Sequence, residues 1–322
     1  MTCAAVDGPS STHAMIANEH PDAVGFRLHV VPSYRCNLRC AYCYAAYLGT
    51  RFSSPLTMAG FSALLSSLVP RGLSSVSFLG GEPSLWEPLG EAIAAVRAQG
   101  LKSLLYTNGQ AVNGIPDLAI LNVTEWLRKG PGGPALRAAR QFRERGTRIV
   151  LRLNLDEHCR RDHLNDIAQV AQSLQADISL AALNTSPQCR EYGDLFFGTC
   201  VDLLASSLAV RISRPVPLCS FTAYQEGYLR KHCGLSGVCS LESAVPVVNP
   251  DGRTVYPCNS LPVDVGVAYP YDRDSGRETL QRAVARCDRY LPDVCRRCGR
   301  HSSGECQCGC HAVRWPTDAA SD

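Results

Sequence analysis

Residues 26–44 read Phe26-Arg-Leu-His-Val-Val-Pro-Ser-Tyr-Arg-Cys-Asn-Leu-Arg-Cys-Ala-Tyr-Cys-Tyr44. The first six residues read as a strand that Pro32 stops, and Cys36, Cys40 and Cys43 follow on the loop at its C-terminal end. Iron–sulfur clusters are usually held by four thiolates. Three on one short loop, with no fourth Cys near them, leave one iron of a [4Fe–4S] cluster open to another molecule. The alternative is half of a zinc site, although zinc normally joins one Cys-x2–4-Cys pair to a second pair.

Working outward from that stretch, the chain repeats strand, loop and helix. Strands are predicted over 75–79, 101–106, 118–123, 148–155 and 177–183. Helices are predicted over 58–69 with Thr57 as cap, 86–99 closed by Gly100, 135–145, 164–174 and 195–210. Gly130-Pro-Gly-Gly-Pro134 breaks the pattern between a strand and a helix. Six β/α units imply parallel strands with right-handed crossovers and are too few for an eight-stranded barrel, so an open, partial (β/α)6 TIM barrel is expected. In such a barrel the chemistry collects at the C-terminal ends of the strands. Gly80-Gly81-Glu82-Pro83 and Thr107-Asn108-Gly109 both fall there, after the second and third strands.

Beyond Pro217 the periodic pattern stops and cysteines take over: Cys219, Cys233, Cys239, Cys258, Cys287, Cys295, Cys298, Cys306, Cys308 and Cys310. The run 249–258 reads as a hairpin turning at Asp251-Gly252. The expected organisation is a flexible arm over 1–24, a barrel over 25–214 and a small Cys-rich domain over 215–322. The first residues carry no basic and apolar signal-peptide pattern, and no apolar run is long enough to span a membrane. Seventeen cysteines in 322 residues therefore suggest metal chemistry in a reducing cytoplasm rather than disulfides. The net charge of +3 is spread along the chain, which argues against a nucleic-acid partner.

The three-Cys loop, the aromatic Tyr42 before the third Cys, and the Gly80–Pro83 run together resemble the radical S-adenosylmethionine (SAM) superfamily. The resemblance implies a [4Fe–4S] cluster on Cys36, Cys40 and Cys43 whose open iron binds SAM. One-electron cleavage of SAM then gives a 5′-deoxyadenosyl radical that abstracts hydrogen from an unactivated C–H bond, with an external reductant such as flavodoxin or ferredoxin supplying the electron. It implies further that Gly80, Gly81 and Glu82 face the methionine amino group, Tyr42 the adenine and Asn122 the ribose. Arg128 and Arg152 are candidates for the SAM carboxylate.

The Cys-rich end resembles the SPASM extension of that superfamily, which binds one or two auxiliary [4Fe–4S] clusters. Cys233, Cys239, Cys258 and Cys310 match the ligands of the first. Cys295, Cys298 and Cys306 match three ligands of the second, and Cys308 is the candidate for the fourth. A zinc module built from Cys295, Cys298, Cys306, Cys308, Cys310 and His311 is the alternative. In the sulfatase-maturating branch an Asp after the matching Pro-Cys acts as base, but here that residue is Asn259, leaving Asp156, Glu157 and Glu191 as candidates.

The resemblance points to modification of a peptide by epimerisation, crosslinking or oxidation in natural-product maturation. The arm is too short for the leader-binding domain that many such relatives carry. An epimerase or dehydrogenase acting on a sugar- or aminocyclitol-type metabolite is the alternative small-molecule reading. A non-catalytic iron–sulfur electron-transfer protein is a third. For a redox-neutral reaction, one of Cys159, Cys189 and Cys219 would return a hydrogen atom to the substrate radical.

Overall fold

A computed structural model describes residues 25–40, 42, 43, 45, 48–156, 159–183, 186–239, 245–259, 261–266 and 273–311. The expected arm over 1–24 and Glu157 lie outside them.

The strands are β1 (Phe26–Val30), β2 (Leu73–Phe78), β3 (Lys102–Thr107), β4 (Leu118–Asn122), β5 (Arg148–Leu155), β6 (Asp177–Ala182), β7 (Val210–Ile212), β8 (Val247–Val248) and β9 (Val255–Tyr256). The helices are α1 (Leu48–Arg51), α2 (Met58–Leu68), α3 (Leu89–Ala98), α4 (Trp126–Lys129), α5 (Gly133–Glu144), α6 (Leu164–Leu174), α7 (Arg190–Ala205), α8 (Ala223–Cys233), α9 (Arg273–Asp288), α10 (Asp293–Arg296) and α11 (Gly299–Ser302).

One sheet runs in the order β7-β6-β5-β4-β3-β2-β1-β8-β9, and its end strands do not meet. From β7 to β8 every neighbouring pair is parallel, and only β8 and β9 are antiparallel. This is an open, partial barrel, as expected, with two differences. A seventh parallel strand, β7, extends it past β6, and α7 ends at Ala205 rather than running on to residue 210. Three residues of strand are too few for a periodic pattern to reveal, so the apolar residues before them read as helix. The hairpin turning at Asp251-Gly252 is present, with the Asn249 amide donating to the Thr254 carbonyl at 2.9 Å. Its strand β8 also adds to the free edge of β1, which the sequence does not reveal.

Period-two alternation explains how the sheet faces two ways. In β5, Ile149, Leu151, Leu153 and Leu155 pack into the main core between sheet and helices. Arg148, Val150, Arg152 and Asn154 alternate with them and line a cavity on the concave face. The same split puts Ala119 and Leu121 of β4 in the core and Leu118, Ile120 and Asn122 on the cavity. No helix among the described residues is long and apolar enough to cross a membrane.

Candidate active site

Three loops at the C-terminal ends of β1, β2 and β3 are tied into one rigid rim. The Gly81 amide donates to the Ser33 carbonyl at 3.0 Å and the Glu82 amide to the Arg35 carbonyl at 2.8 Å, so the second loop lies along the stem of the Cys loop. The contact is close enough to require glycine. A Cβ on Gly81 would stand 2.2 Å from the Arg35 carbonyl oxygen, and one on Gly80, at φ 130°, would stand 2.5 Å from Val31 Cγ1. The two glycines thus have a role the sequence alone does not show: they let the Cys loop seat on its neighbour.

Glu82 is 1% exposed, and its carboxylate accepts from Ser84 N at 3.0 Å, Thr107 Oγ1 at 2.7 Å and Asn108 N at 2.7 Å. Asn108 Nδ2 donates to Asn37 Oδ1 at 2.8 Å, which returns the third loop to the Cys loop. Below the rim, Tyr34 donates to Asn249 Oδ1 at 2.6 Å and so fastens the Cys loop to the β8–β9 hairpin.

Cys36 and Cys43 are exposed and Cys40 is half-buried. Partial burial, opposed by the Leu38 amide, raises the Cys36 thiol above its usual range, and Glu82 and Cys40 add to the rise. Burial raises Cys40 too, against the Tyr42 hydroxyl and with Cys43 adding to it. These thiols stand near enough to repel one another as thiolates, which is the situation a bound cationic centre relieves. The donor set is three thiols on one loop and suits iron–sulfur ligation with an iron left open.

The cavity beyond the rim has a volume of about 620 Å3. All three loop thiols line it, with Tyr42, Gly80, Gly81, Glu82, Asn122 and Arg152. Tyr42 and Asn122 meet directly, Asn122 Nδ2 donating to the Tyr42 hydroxyl at 3.1 Å. Asn122 Oδ1 accepts from Thr124 Oγ1 at 2.8 Å, and the Asn154 amide donates to Thr124 Oγ1 at 2.9 Å. Asn154 and Thr124 were not singled out from the sequence. The alternation of β5 was the signal for Asn154, since it sits in phase with Arg148 and Arg152.

Other candidates stand elsewhere. Arg128 is engaged by Asp156 and by Glu125 at 3.1 Å, and it does not line the cavity. Cys159, Cys189 and Cys219 are also off the cavity wall, so the structure does not bring the three candidate hydrogen donors to the space a substrate would occupy. Asn259 lines the wall beside Cys258, but Asp156 and Glu191 do not. Among the described residues, the charged groups on the wall are Arg27, Arg148, Arg152, Arg211, Arg214 and, as its single carboxylate, Glu82.

The Cys-rich end divides into two groups. Cys239, Cys258 and Cys310 line the cavity opposite the rim, and burial together with the neighbouring Cys310 pushes the Cys239 thiol up to about 11. Cys233, expected with them, is fully buried against Cys200, and Gly234 takes its place on the wall. Cys295, Cys298, Cys306 and Cys308 gather away from the cavity. Among the described residues, no three His, Cys, Asp or Glu side chains converge tightly enough to hold a single metal ion.

Residues 30–129 match the family model of the radical SAM superfamily. This region is a radical SAM domain. It contains the Cys loop, the Gly80–Pro83 run and Asn122. The chain is 28% identical over 145 residues to the Fe-coproporphyrin III synthase of Methanosarcina barkeri, covering 40% of this chain and 36% of the relative. It is 37% identical over 79 residues to the PqqA peptide cyclase of Xanthomonas euvesicatoria, covering 24% of this chain and 21% of that protein. The matches thus span about a third or less of the length of these curated relatives. Among solved structures, native anSMEcpe with bound AdoMet superposes with a TM-score of 0.59 at 16% identity, covering 92% of each chain. Streptococcus suis SuiB bound to precursor peptide SuiA does so with a TM-score of 0.55 at 16% identity, covering 73% of this chain and 60% of that one. At such identity these two likenesses speak for the fold alone.

Proposed function

We propose that this chain is a radical SAM enzyme that removes a hydrogen atom from a C–H bond of a peptide held in the central cavity. One observation carries the reading: a single cavity joins Cys36, Cys40 and Cys43 at its rim to the barrel interior and to Cys239, Cys258 and Cys310 across from them. Bound at the rim, a [4Fe–4S] cluster with SAM supplies the reductive cleavage that generates the hydrogen-abstracting radical. The chain's own residues bind and orient. Cys36, Cys40 and Cys43 hold three irons, and the Glu82 carboxylate locks the loops that carry them. Asn122, fixed by Thr124 and Tyr42, presents its amide to the ribose side of the site. Arg152 faces the SAM carboxylate.

Cys239, Cys258 and Cys310 are the ligands proposed for an auxiliary cluster at the opposite wall. A flavodoxin- or ferredoxin-type protein is the proposed reductant. The likeness to a PqqA peptide cyclase supports a peptide substrate.

The test is anaerobic reconstitution and reduction. The enzyme is expected to convert SAM to 5′-deoxyadenosine and methionine, and Cys40→Ala to lose that conversion. Equal turnover by Cys40→Ala would overturn the assignment.

A further inference from the structure

The loop that carries Cys36, Cys40 and Cys43 is not seated on the main core of the barrel. Val31 and Tyr34, before it, and Ala45 and Leu48, after it, pack in a separate small core with Val247 and Tyr256. Those last two residues face each other across the β8–β9 hairpin, so both ends of the loop rest on the Cys-rich part of the chain. The hairpin is in turn fixed to β1, which leads into the loop: the Val31 amide donates to the Val248 carbonyl at 2.9 Å.

One buried polar contact joins the two segments. The Tyr34 hydroxyl donates to Asn249 Oδ1 at 2.6 Å, across 215 residues of sequence. Asn249 is fully buried, and its Nδ2 donates to the Thr254 carbonyl at 3.0 Å, so the hairpin itself fixes which end of the amide faces Tyr34. The Tyr34 ring stacks on Phe52 at 5.7 Å between centroids, and Phe52 meets Tyr256 edge-on at 6.3 Å. Arg51 Cζ lies 5.5 Å from the centre of the Phe52 ring and 5.8 Å from that of Tyr256. The backbone of Tyr34 also touches the second loop, since a Cβ on Gly81 would stand 2.5 Å from its carbonyl oxygen. Cys36 follows two residues later, so a shift of Tyr34 moves the first thiol and the Gly80–Pro83 run together.

We propose that Asn249 is a positioning residue for SAM at the rim: from the Cys-rich part of the chain it fixes Tyr34, and through Tyr34 the loop of Cys36, Cys40 and Cys43. The proposal rests on the reading of that loop as the holder of a SAM-binding cluster. Neither Asn249 nor Tyr34 lines the cavity, so the effect passes through the loop and not through contact with a ligand. It gives the hairpin a second task, because the same hairpin leads from Tyr256 to Cys258 and Asn259 on the cavity wall. The rim and the opposite wall are then set relative to each other by one element.

The test compares the full chain with Tyr34→Phe, Asn249→Leu and Asp251→Ala. Tyr34→Phe keeps the ring and removes only the hydroxyl. Asp251 caps the tip of the same hairpin, accepting from the amides of Arg253 at 3.0 Å and Thr254 at 2.9 Å, so Asp251→Ala reports what loosening the hairpin does by itself. After anaerobic reconstitution, Tyr34→Phe is expected to keep the parent's iron and sulfide and to bind SAM roughly five- to tenfold more weakly, the scale of one lost buried hydrogen bond. The electron paramagnetic resonance of its reduced, SAM-bound cluster is expected to shift. Alkylation of the chain without its cluster gives an independent readout: Cys40, half-buried in the parent, is expected to react faster with iodoacetamide in Tyr34→Phe and Asn249→Leu, but not in Asp251→Ala. The double variant Tyr34→Phe/Asn249→Leu is expected to cost no more than Asn249→Leu alone, since both remove one contact. Where circular dichroism shows Asn249→Leu misfolded, Tyr34→Phe decides. A parent that neither binds nor cleaves SAM overturns the reading of the loop, and the proposal with it. A parent that does both, matched by Tyr34→Phe in SAM affinity, resonance and Cys40 reactivity, overturns the role of Asn249 alone, as do equal effects from Asp251→Ala.

Discussion

The rim of the cavity and the thiol group behind it differ in how far their cysteines are exposed and in what holds them. At the rim, Cys36 and Cys43 are exposed on a loop that is positioned by backbone contacts: amides of residues 81 and 82 to carbonyls of 33 and 35, with glycines at the points of closest approach. Behind the cavity, Cys295, Cys306 and Cys308 are buried, held by side-chain packing and by a backbone bond from the Gln307 amide to the Gly237 carbonyl. A site that must admit an outside molecule keeps its thiols open and makes the backbone rigid. A site that closes on itself buries its thiols and depends on the surrounding side chains.

The sharpest way to break the first half of this contrast is Gly81→Ala. The added carbon would meet a backbone oxygen at 2.2 Å, and backbone cannot rotate away as a flexible side chain can. The Cys loop must move, and a shift of about 1 Å in a positioned site costs on the order of a hundredfold in rate. The expected outcome is loss of most 5′-deoxyadenosine formation, measured by chromatography, while iron bound by the Cys-rich end is retained. Wild-type turnover by Gly81→Ala would mean that the glycines are turn residues and nothing more.

The same contrast explains what was legible in the sequence. The rim was, because Cys-x3-Cys-x2-Cys and Gly80–Pro83 are local patterns whose spacing itself carries the chemistry. The strands were legible too: β5 begins and ends where its apolar run predicts, at Arg148 and Leu155. What escaped depends on distant partners. Arg128 and Arg152 look alike in sequence, yet one is held by Asp156 and Glu125 and the other lines the cavity. Cys233 sits in a ligand-like spacing, and its burial beside Cys200 is set by packing that no local pattern shows. No pattern of spacing reveals which of two thiols a helix turns inward.

A smaller effect tests the side-chain fastening of the second region. Glu226 on α8 accepts from Arg300 at 2.6 Å and from Arg230 at 2.9 Å, and Arg230 also reaches Glu305 at 3.4 Å. Burial alone would raise the Glu226 carboxyl, but the bonds from Arg300 and Arg230 outweigh it and hold it below the usual carboxylate range. The two guanidinium groups are about two-fifths exposed, so solvent screening trims the gain to about 1–2 kcal/mol. A carboxyl lowered by folding adds stability that is present above its unfolded value, about 4.3, and is lost as pH falls through the folded value. Glu226→Gln is expected to speed protease cleavage near residues 300–311 at pH 7, and to flatten the loss of protection that the parent shows below about pH 4. A parent with no such acid dependence would remove Glu226 from the fastening.

The smallest effect is expected at Cys159, and it probes whether any thiol outside both groups takes part in chemistry. Cys159 is 7% exposed, and its sulfur lies 3.2 Å from Asp156 Oδ1 and 3.8 Å from the Asn154 carbonyl, behind the strand whose other face lines the cavity. Burial is the largest of the influences that push this thiol up to about 11, so it stays protonated at any pH the enzyme would work. A protonated thiol can give up a hydrogen atom, but only to a radical that reaches it, and the β5 backbone stands between Cys159 and the cavity. Cys159→Ala should therefore cost about 1 kcal/mol of stability from lost packing and leave the product unchanged. With the reaction run in D2O, thiol hydrogens exchange with solvent, so a donor thiol would write one deuterium into the product. Identical deuterium content in parent and Cys159→Ala products, measured by mass spectrometry, is the expected result. Loss of a deuterium in the variant would place Cys159 within reach of the substrate and require β5 to open during turnover.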